Sequence, residues 1–190
     1  MPECRTALQA ENFERAAGIL NGIRAFARKR VGTRERCDVG QLVAESVRIF
    51  RGMAARAPDV QGLDTLPAAL REVEADPLQI QQVLLNLLKN AMDAQKAAGT
   101  SAALEVSLQP AAPGWVQVGV RDHGCGLSEG EMQRLFEPFF TTKDDGMGLG
   151  LSICKTIIEA HGGALTARVP ETGGGLQLLF TLTTPHAPGP

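Results

Sequence analysis

The 190-residue sequence has no apolar run of about 18 residues, the length a helix needs to cross a bilayer, and no charged leader followed by an apolar stretch and small residues. It is read as a soluble piece, expected neither to span a membrane nor to direct secretion. It also lacks an excess of either charge: 19 Lys and Arg stand against 21 Asp and Glu, a net charge of −2, which gives no general attraction to nucleic acid or anionic membranes. Cysteine is sparse. Cys4, Cys37, Cys125 and Cys154 show neither CxxC nor Cys/His ligand spacing, so free thiols in a reducing cytoplasm are expected in place of zinc or disulfides. Internal repeats are missing too. What remains is 44% hydrophobic residues, enough for one good-sized domain plus an appendage.

The most informative stretch is QVLLNLLKNAMDA, residues 82 to 94, a helix pattern rich in leucine that carries two asparagines. At 3.6 residues per turn, Gln82, Asn86, Asn90 and Asp93 fall within an arc of roughly 80°. The rest of the circumference is apolar apart from Lys89, so the helix is expected to be packed on most sides while this stripe faces something wet or charged. An ordinary solvated face would use Lys, Glu and Arg, better helix formers than Asn. Two carboxamides one turn apart point to a lined cavity.

Elsewhere, Leu8, Phe13, Ala16, Ala17, Leu20, Ile23 and Ala27 recur at near-helical intervals across residues 7 to 30. After a break at Gly32 to Arg36, DVGQLVAESVRIFRGMAAR reads as a second amphipathic helix, followed by a Pro- and Asp-punctuated stretch and a short strand near Arg71 to Ala75. Asp76 and Pro77 then open the asparagine helix, an acid and a proline where a helix start favours them. LEVSLQ and WVQVGVR alternate as a hairpin would. Short helices are expected over Ser128 to Phe136 and Leu149 to Ala160, the latter ending at His161, and ALTARV and LQLLFTL supply two more strands. The order implies an α+β layer arrangement with helices on one sheet face. The expected division is 1–35 as a partial helical hairpin and linker, 36–184 as the main domain, and 185–190 as a tail.

Two further segments carry chemistry. WVQVGVR delivers Asp122 into DHGCGL, where a carboxylate at a strand end can accept from an amine and Gly124 and Gly126 let a flat ring approach the backbone. Taken alone, an ordinary Asp-Gly turn reads equally well. LFEPFFTTKDDGMGLGLS places Gly146, Gly148 and Gly150 before a helix, whose unpaired N–H groups can meet phosphate oxygens, and Lys143 adds a charge just upstream. The P-loop and dinucleotide fingerprints both fail on spacing. Phe136, Phe139 and Phe140 are expected to be core anchors pinning one end of this loop.

In order, the asparagine helix, the DxGxG turn, FEPFF with TTK, GMGLGL and the glycine cluster before Leu176 resemble the N, first-glycine, F, second-glycine and third-glycine boxes of the catalytic ATP-binding domain of bacterial sensor histidine kinases, members of the GHKL or Bergerat-fold ATPases. The resemblance covers about residues 36 to 184 and implies a two-layer α/β sandwich with a mixed, mostly antiparallel sheet. It implies ATP and Mg²⁺ as cofactors, with Asn90 giving an oxygen to the metal and Asn86 beside the metal and phosphates. It further implies that Asp122 accepts the adenine amino group, that Lys143 and Lys89 meet phosphates, and that Gly148, Leu149 and Gly150 offer N–H groups. Gln82 and Asp93 are positioned to help without a firm role. Related ATPases of the gyrase and MutL type carry glutamate at the position of Asn86, where it activates water; asparagine cannot act as a general base, so transfer to another nucleophile is preferred over hydrolysis.

The family's acceptor is a histidine usually followed by an acidic residue. His123, His161 and His186 precede Gly, Gly and Ala, so the acceptor is expected outside these residues, on a hairpin of the same or a partner subunit. Implied partners are that hairpin and a response regulator, with a homodimeric full-length protein, cytoplasmic or anchored in the inner membrane. The short loop between FFTTK and GMGLG resembles the nitrogen- and dicarboxylate-sensing subgroup, and Leu176 stands where a small hydroxyl residue is common. The competing expectations are a nucleotide-sensing or degenerate module without transfer, and a structural dimer module resting on the first helix.

Overall fold

The computed structural model describes residues 33–53, 57–143, 146–171 and 174–185, the Leu63 side chain excepted. The helix expected over residues 7–30, Cys4, His186 and the end of the tail lie outside the described residues.

A small sheet pairs β1 (Glu35–Asp38) antiparallel with β3 (Glu72–Ala75). A larger sheet runs in the order β2 (Val60–Asp64), β4 (Leu104–Pro110), β5 (Trp115–Arg121), β7 (Gln177–Thr183), β6 (Leu165–Arg168). β2 lies parallel to β4, and the other neighbours are antiparallel. Alternation decides the layers: Leu104, Val106 and Leu108, Val116, Val118 and Val120, and Leu178, Phe180 and Leu182 are all buried on one face. That face forms one core with α1 (Val39–Met53), α2 (Pro77–Ala97) and α4 (Gly150–Ala160). On the opposite face Gln109 donates to Gln117 across β4 and β5 at 2.8 Å. The result is the expected two-layer sandwich. Among the described residues no helix is long and apolar enough to cross a membrane.

The helix starts follow from local chemistry. Asp76 caps α2 by accepting from the Leu78 and Gln79 N–H groups at 3.0 and 3.2 Å, with Pro77 at the first helical position. The short α3 (Glu129–Arg134) opens on a reciprocal capping box between Ser128 and Glu131. Two strands lie where none was expected. β1 begins at Glu35, inside the stretch read as a break, and β2 occupies the Pro- and Asp-punctuated stretch.

α2 is less enclosed than its composition implies. Ile80, Val83, Leu84, Leu87, Leu88 and Ala91 are buried, yet Leu78 is 77% exposed. Leu85 and Met92 are half-buried and, with Phe50 and Met53 of α1, line an open groove of about 500 Å³.

His161, 3% exposed, ends α4 and ties it to the start of α2. Its Nε2 accepts from the Asp76 N–H at 3.0 Å, which leaves Nδ1 as the protonated nitrogen donating to the Ile157 carbonyl at 2.7 Å. His161→Ala leaves a buried N–H unpaired beside a cavity, so unfolding in urea is expected to show a loss of about 2–3 kcal/mol. An unchanged midpoint would refute this bridging role.

Candidate functional site

Two members of the polar stripe of α2, Asn86 and Asn90, lie beside the start of α4. A Cβ built on Gly150 would stand 3.8 Å from Asn86 Oδ1 and 4.0 Å from Asn90 Nδ2. α4 begins after Leu149 with no side-chain cap, so its first-turn N–H groups are held next to the two carboxamides. Asn86 meets Cys154, which is fully buried on α4. Burial pushes the Cys154 thiol up to about 12, and a hydrogen bond from the Asn86 side chain offsets part of that rise. At neutral pH this thiol is protonated and is neither nucleophile nor base.

The loop before α4 is pinned by its backbone. The Phe139 N–H donates to the Gly148 carbonyl at 2.9 Å, and the Gly146 N–H to the Lys143 carbonyl at 3.1 Å. Thr141 Oγ1 accepts from the Lys143 N–H at 3.1 Å. This turn carries the Lys143 ammonium across to α2, where Nζ donates to Asp93 Oδ2 at 2.7 Å and Asn90 Oδ1 at 3.1 Å. A cation thus already rests on the Asn90 oxygen.

The aromatic residues of the loop correct one expectation. Phe136 packs on the core and Phe140 is half-buried with the Arg134 guanidinium 4.6 Å above its ring, but Phe139 is 74% exposed and anchors nothing. Its φ of 68° is the reason: the hydrogen bond to Gly148 holds the backbone in the left-handed region and turns the ring to solvent.

Asp122 closes the other end of the site. It is 5% exposed, and its Oδ1 accepts from the Gly124 N–H at 2.8 Å and the Leu176 N–H at 3.3 Å. The Asp122 N–H in turn donates to the Leu176 carbonyl at 3.0 Å. Burial raises the carboxyl above its ordinary 3.8, with the two N–H groups, His123 and Arg121 opposing that rise. The turn sits directly on α2: a Cβ on Gly124 would be 2.9 Å from the Ala94 carbonyl, so only glycine fits there. Gly126 lies against Gly175 of the second glycine cluster.

The structure therefore brings Asn86, Asn90, Asp93, Lys143 and the Gly146–Gly150 segment to the α2–α4 seam, with the Asp122 turn against Ala94 farther along the same helix. Lys89 is exposed and, with Gln82 and Asn86, lines the α1–α2 groove. Two residues had no role in the sequence reading. Cys154 meets Asn86, and Gln95, 2% exposed, has neither amide atom hydrogen-bonded. No local pattern marks either one.

Residues 75–188 match the family of histidine kinase-, DNA gyrase B- and HSP90-like ATPases. The chain belongs to that family. Within it, this ATPase domain is 39% identical over 189 residues to the sensor protein FixL of Bradyrhizobium diazoefficiens, an alignment covering 98% of this chain and 36% of FixL. It is 33% identical over 197 residues to the C4-dicarboxylate transport sensor protein DctS of Rhodobacter capsulatus, covering 100% of this chain and 30% of DctS. The chain thus spans about a third of either sensor protein. The catalytic domain of histidine kinase ThkA superimposes with a TM-score of 0.68 at 31% identity, covering 80% of this chain and 95% of that one. The histidine-kinase type of ATP-binding catalytic domain expected from the five boxes is the one found.

Proposed function

We propose that this domain binds ATP with Mg²⁺ between α2 and α4 and donates the γ-phosphate to a histidine on a separate helical hairpin, from which it passes to a response regulator aspartate. One observation carries the reading: the uncapped start of α4 faces Asn86 and Asn90 of α2, while the turn bearing the buried Asp122 carboxylate lies against Ala94, farther along α2. The helix start offers N–H groups and a favourable dipole to phosphate. Asp122 Oδ2, free of the two backbone bonds that occupy Oδ1, is the acceptor for an adenine amino group.

The oxygen donors suit a hard cation, since Asn90 Oδ1 already accepts from an ammonium. Among the described residues no group of three His, Cys, Asp or Glu side chains could hold a metal. Mg²⁺ would therefore draw most of its ligands from phosphate and water, with Asn90 and Asn86 contributing at one side. Bound there, it would neutralise charge on the transferring phosphoryl group. Asn86 supplies no general base, and its neighbour Cys154 stays protonated, which favours transfer over hydrolysis. Lys143 would exchange its partners for phosphate oxygens, with Lys89 at the outer edge.

The test mixes the chain with labelled ATP, Mg²⁺ and a separately made hairpin bearing a histidine followed by an acidic residue. Phosphohistidine on the hairpin, with none on the chain alone, is the expected result. ATP binding without transfer would support a nucleotide-sensing module instead. Unmoved amide resonances at Asn90, Asp122 and Gly148 during an ATP titration would remove the reading altogether. The dimer, the response regulator and a cytoplasmic setting are parts of the same proposal.

A further inference from the structure

We propose that Asp93 is a positioning residue that holds Lys143 on the metal ligand Asn90 until metal and nucleotide arrive, so that binding is an exchange of one cation for another. The inference rests on the reading of Asn90 as a metal ligand and Lys143 as a phosphate partner. Its basis is the geometry of one ammonium group, 2.7 Å from Asp93 Oδ2 and 3.1 Å from Asn90 Oδ1, reaching across from a loop some 50 positions away in the sequence.

The backbone of Lys143 is tied into its loop. Its N–H is bound by Thr141 and its carbonyl by Gly146, so the contacts of the ammonium with α2 bear on the turn of the loop. With Asp93 and Asn90 as its acceptors, the loop is drawn towards α2. The ammonium that rests on the Asn90 oxygen repels a metal ion approaching the same atom. While Asp93 and Asn90 hold two of its three N–H groups, the ammonium can turn only the third to a phosphate oxygen.

The pair is built to be exchanged. Its side chains are 39% and 31% exposed, and an ion pair that is so well hydrated is weak. A triphosphate brings several negative charges to the same ammonium, and Mg²⁺ brings two positive charges to the oxygens that it leaves. Each newcomer takes over the partner of the other, so metal and nucleotide favour one another's binding. Asp93 strengthens this coupling, because without the metal its carboxylate competes with phosphate for the Lys143 ammonium. Nucleotide without metal is the disfavoured ligand.

The experiment measures the ATP dissociation constant of the full chain in Mg²⁺ and in EDTA, at fixed ionic strength, for the parent, Asp93→Asn, Asp93→Glu, Lys143→Met and the double variant Asp93→Asn/Lys143→Met. Asp93→Asn is expected to tighten binding in EDTA by about two- to fivefold, the range of a surface ion pair, with a smaller change in Mg²⁺. Asp93→Glu should restore the parent's ratio of the two constants. In the Lys143→Met background the Asp93→Asn effect should vanish. Its persistence there at full size would mean that Asp93 merely repels phosphate, and would overturn the proposal. A second measurement, without nucleotide, is hydrogen exchange of the 139–143 and 146–148 amides, expected to quicken in Asp93→Asn; unchanged exchange would also overturn it. Failure of the parent to bind ATP would strike the proposed function itself, whereas ATP binding with an unaltered Mg²⁺-to-EDTA ratio in Asp93→Asn would remove only the exchange.

Discussion

Alanine at position 148 is expected to weaken ATP binding by about a hundredfold, with the loss of stability to urea limited to roughly 1–3 kcal/mol of local backbone strain. Gly148 has a φ of 66°, where a Cβ is strained at the outset. The added carbon would also stand 2.4 Å from the Phe139 carbonyl carbon, 2.5 Å from the Phe140 oxygen and 2.6 Å from the Phe140 nitrogen. All three are backbone atoms, so no rotamer change relieves the clash. The loop has to part from the segment leading into α4, and the hydrogen bond from Phe139 to Gly148 is lost with it. Backbone strain of roughly 1–3 kcal/mol then falls on the N–H groups proposed to meet phosphate. The fold has other supports, because Ile153, Cys154 and Ile158 seat α4 in the core independently of the loop. Calorimetric titration with ATP together with urea unfolding separates the two effects. Binding within threefold of the parent would show that the loop is not part of the site.

The elements legible in the sequence are those whose signals are local. Asp76, Pro77 and the apolar period of α2 sit within a few residues of one another, and each acts through short-range geometry. The β4–β5 pair was legible because alternation and a short connection specify an antiparallel hairpin. β1 and β2 have no such signal. β1 is ERCD, a strand only because β3 pairs with it from some 35 positions away, and β2 is VQGLD, with a glycine inside and a parallel partner beyond α2. Strand formation there is a tertiary effect.

The same division runs through the site. Asn86 and Asn90 stood out because carboxamides are unusual in an apolar helix, and α4 does lie against them. What periodicity does not reveal is which apolar side finds a cover, and so Leu78 stays exposed on a helix that reads as nearly enclosed. Lys143 was legible as a charge near the glycines, but its partners Asp93 and Asn90 depend on how the loop folds over α2. Phe139 failed for a comparable reason: its hydrophobicity argues for burial, and a single backbone hydrogen bond sends it outward.

Asp122→Asn is expected to separate binding from stability, with ATP affinity falling by roughly a hundredfold and the fold at neutral pH no weaker than the parent's. The carboxylate Oδ1 is committed to the Gly124 and Leu176 N–H groups, and the asparagine oxygen can take over both bonds. Its NH₂ then occupies the place of Oδ2 and, with adenine bound as proposed, would confront its amino group donor against donor. For the ligand-free fold the change is benign, because burial makes the ionised carboxylate costly and raises its pKa above the ordinary 3.8. The sign follows from that direction: protonated Asp122 is the form the fold favours, so the parent gains from it below pH 3.8 and loses that gain as pH rises through the raised folded-state value. Asparagine does not titrate. The variant's stability relative to the parent should therefore improve over that interval and level off above it, as urea midpoints at a series of pH values would record. A variant that binds ATP like the parent would exclude Asp122 from the adenine site, and a relative stability that declined with pH would reverse the assigned effect of burial.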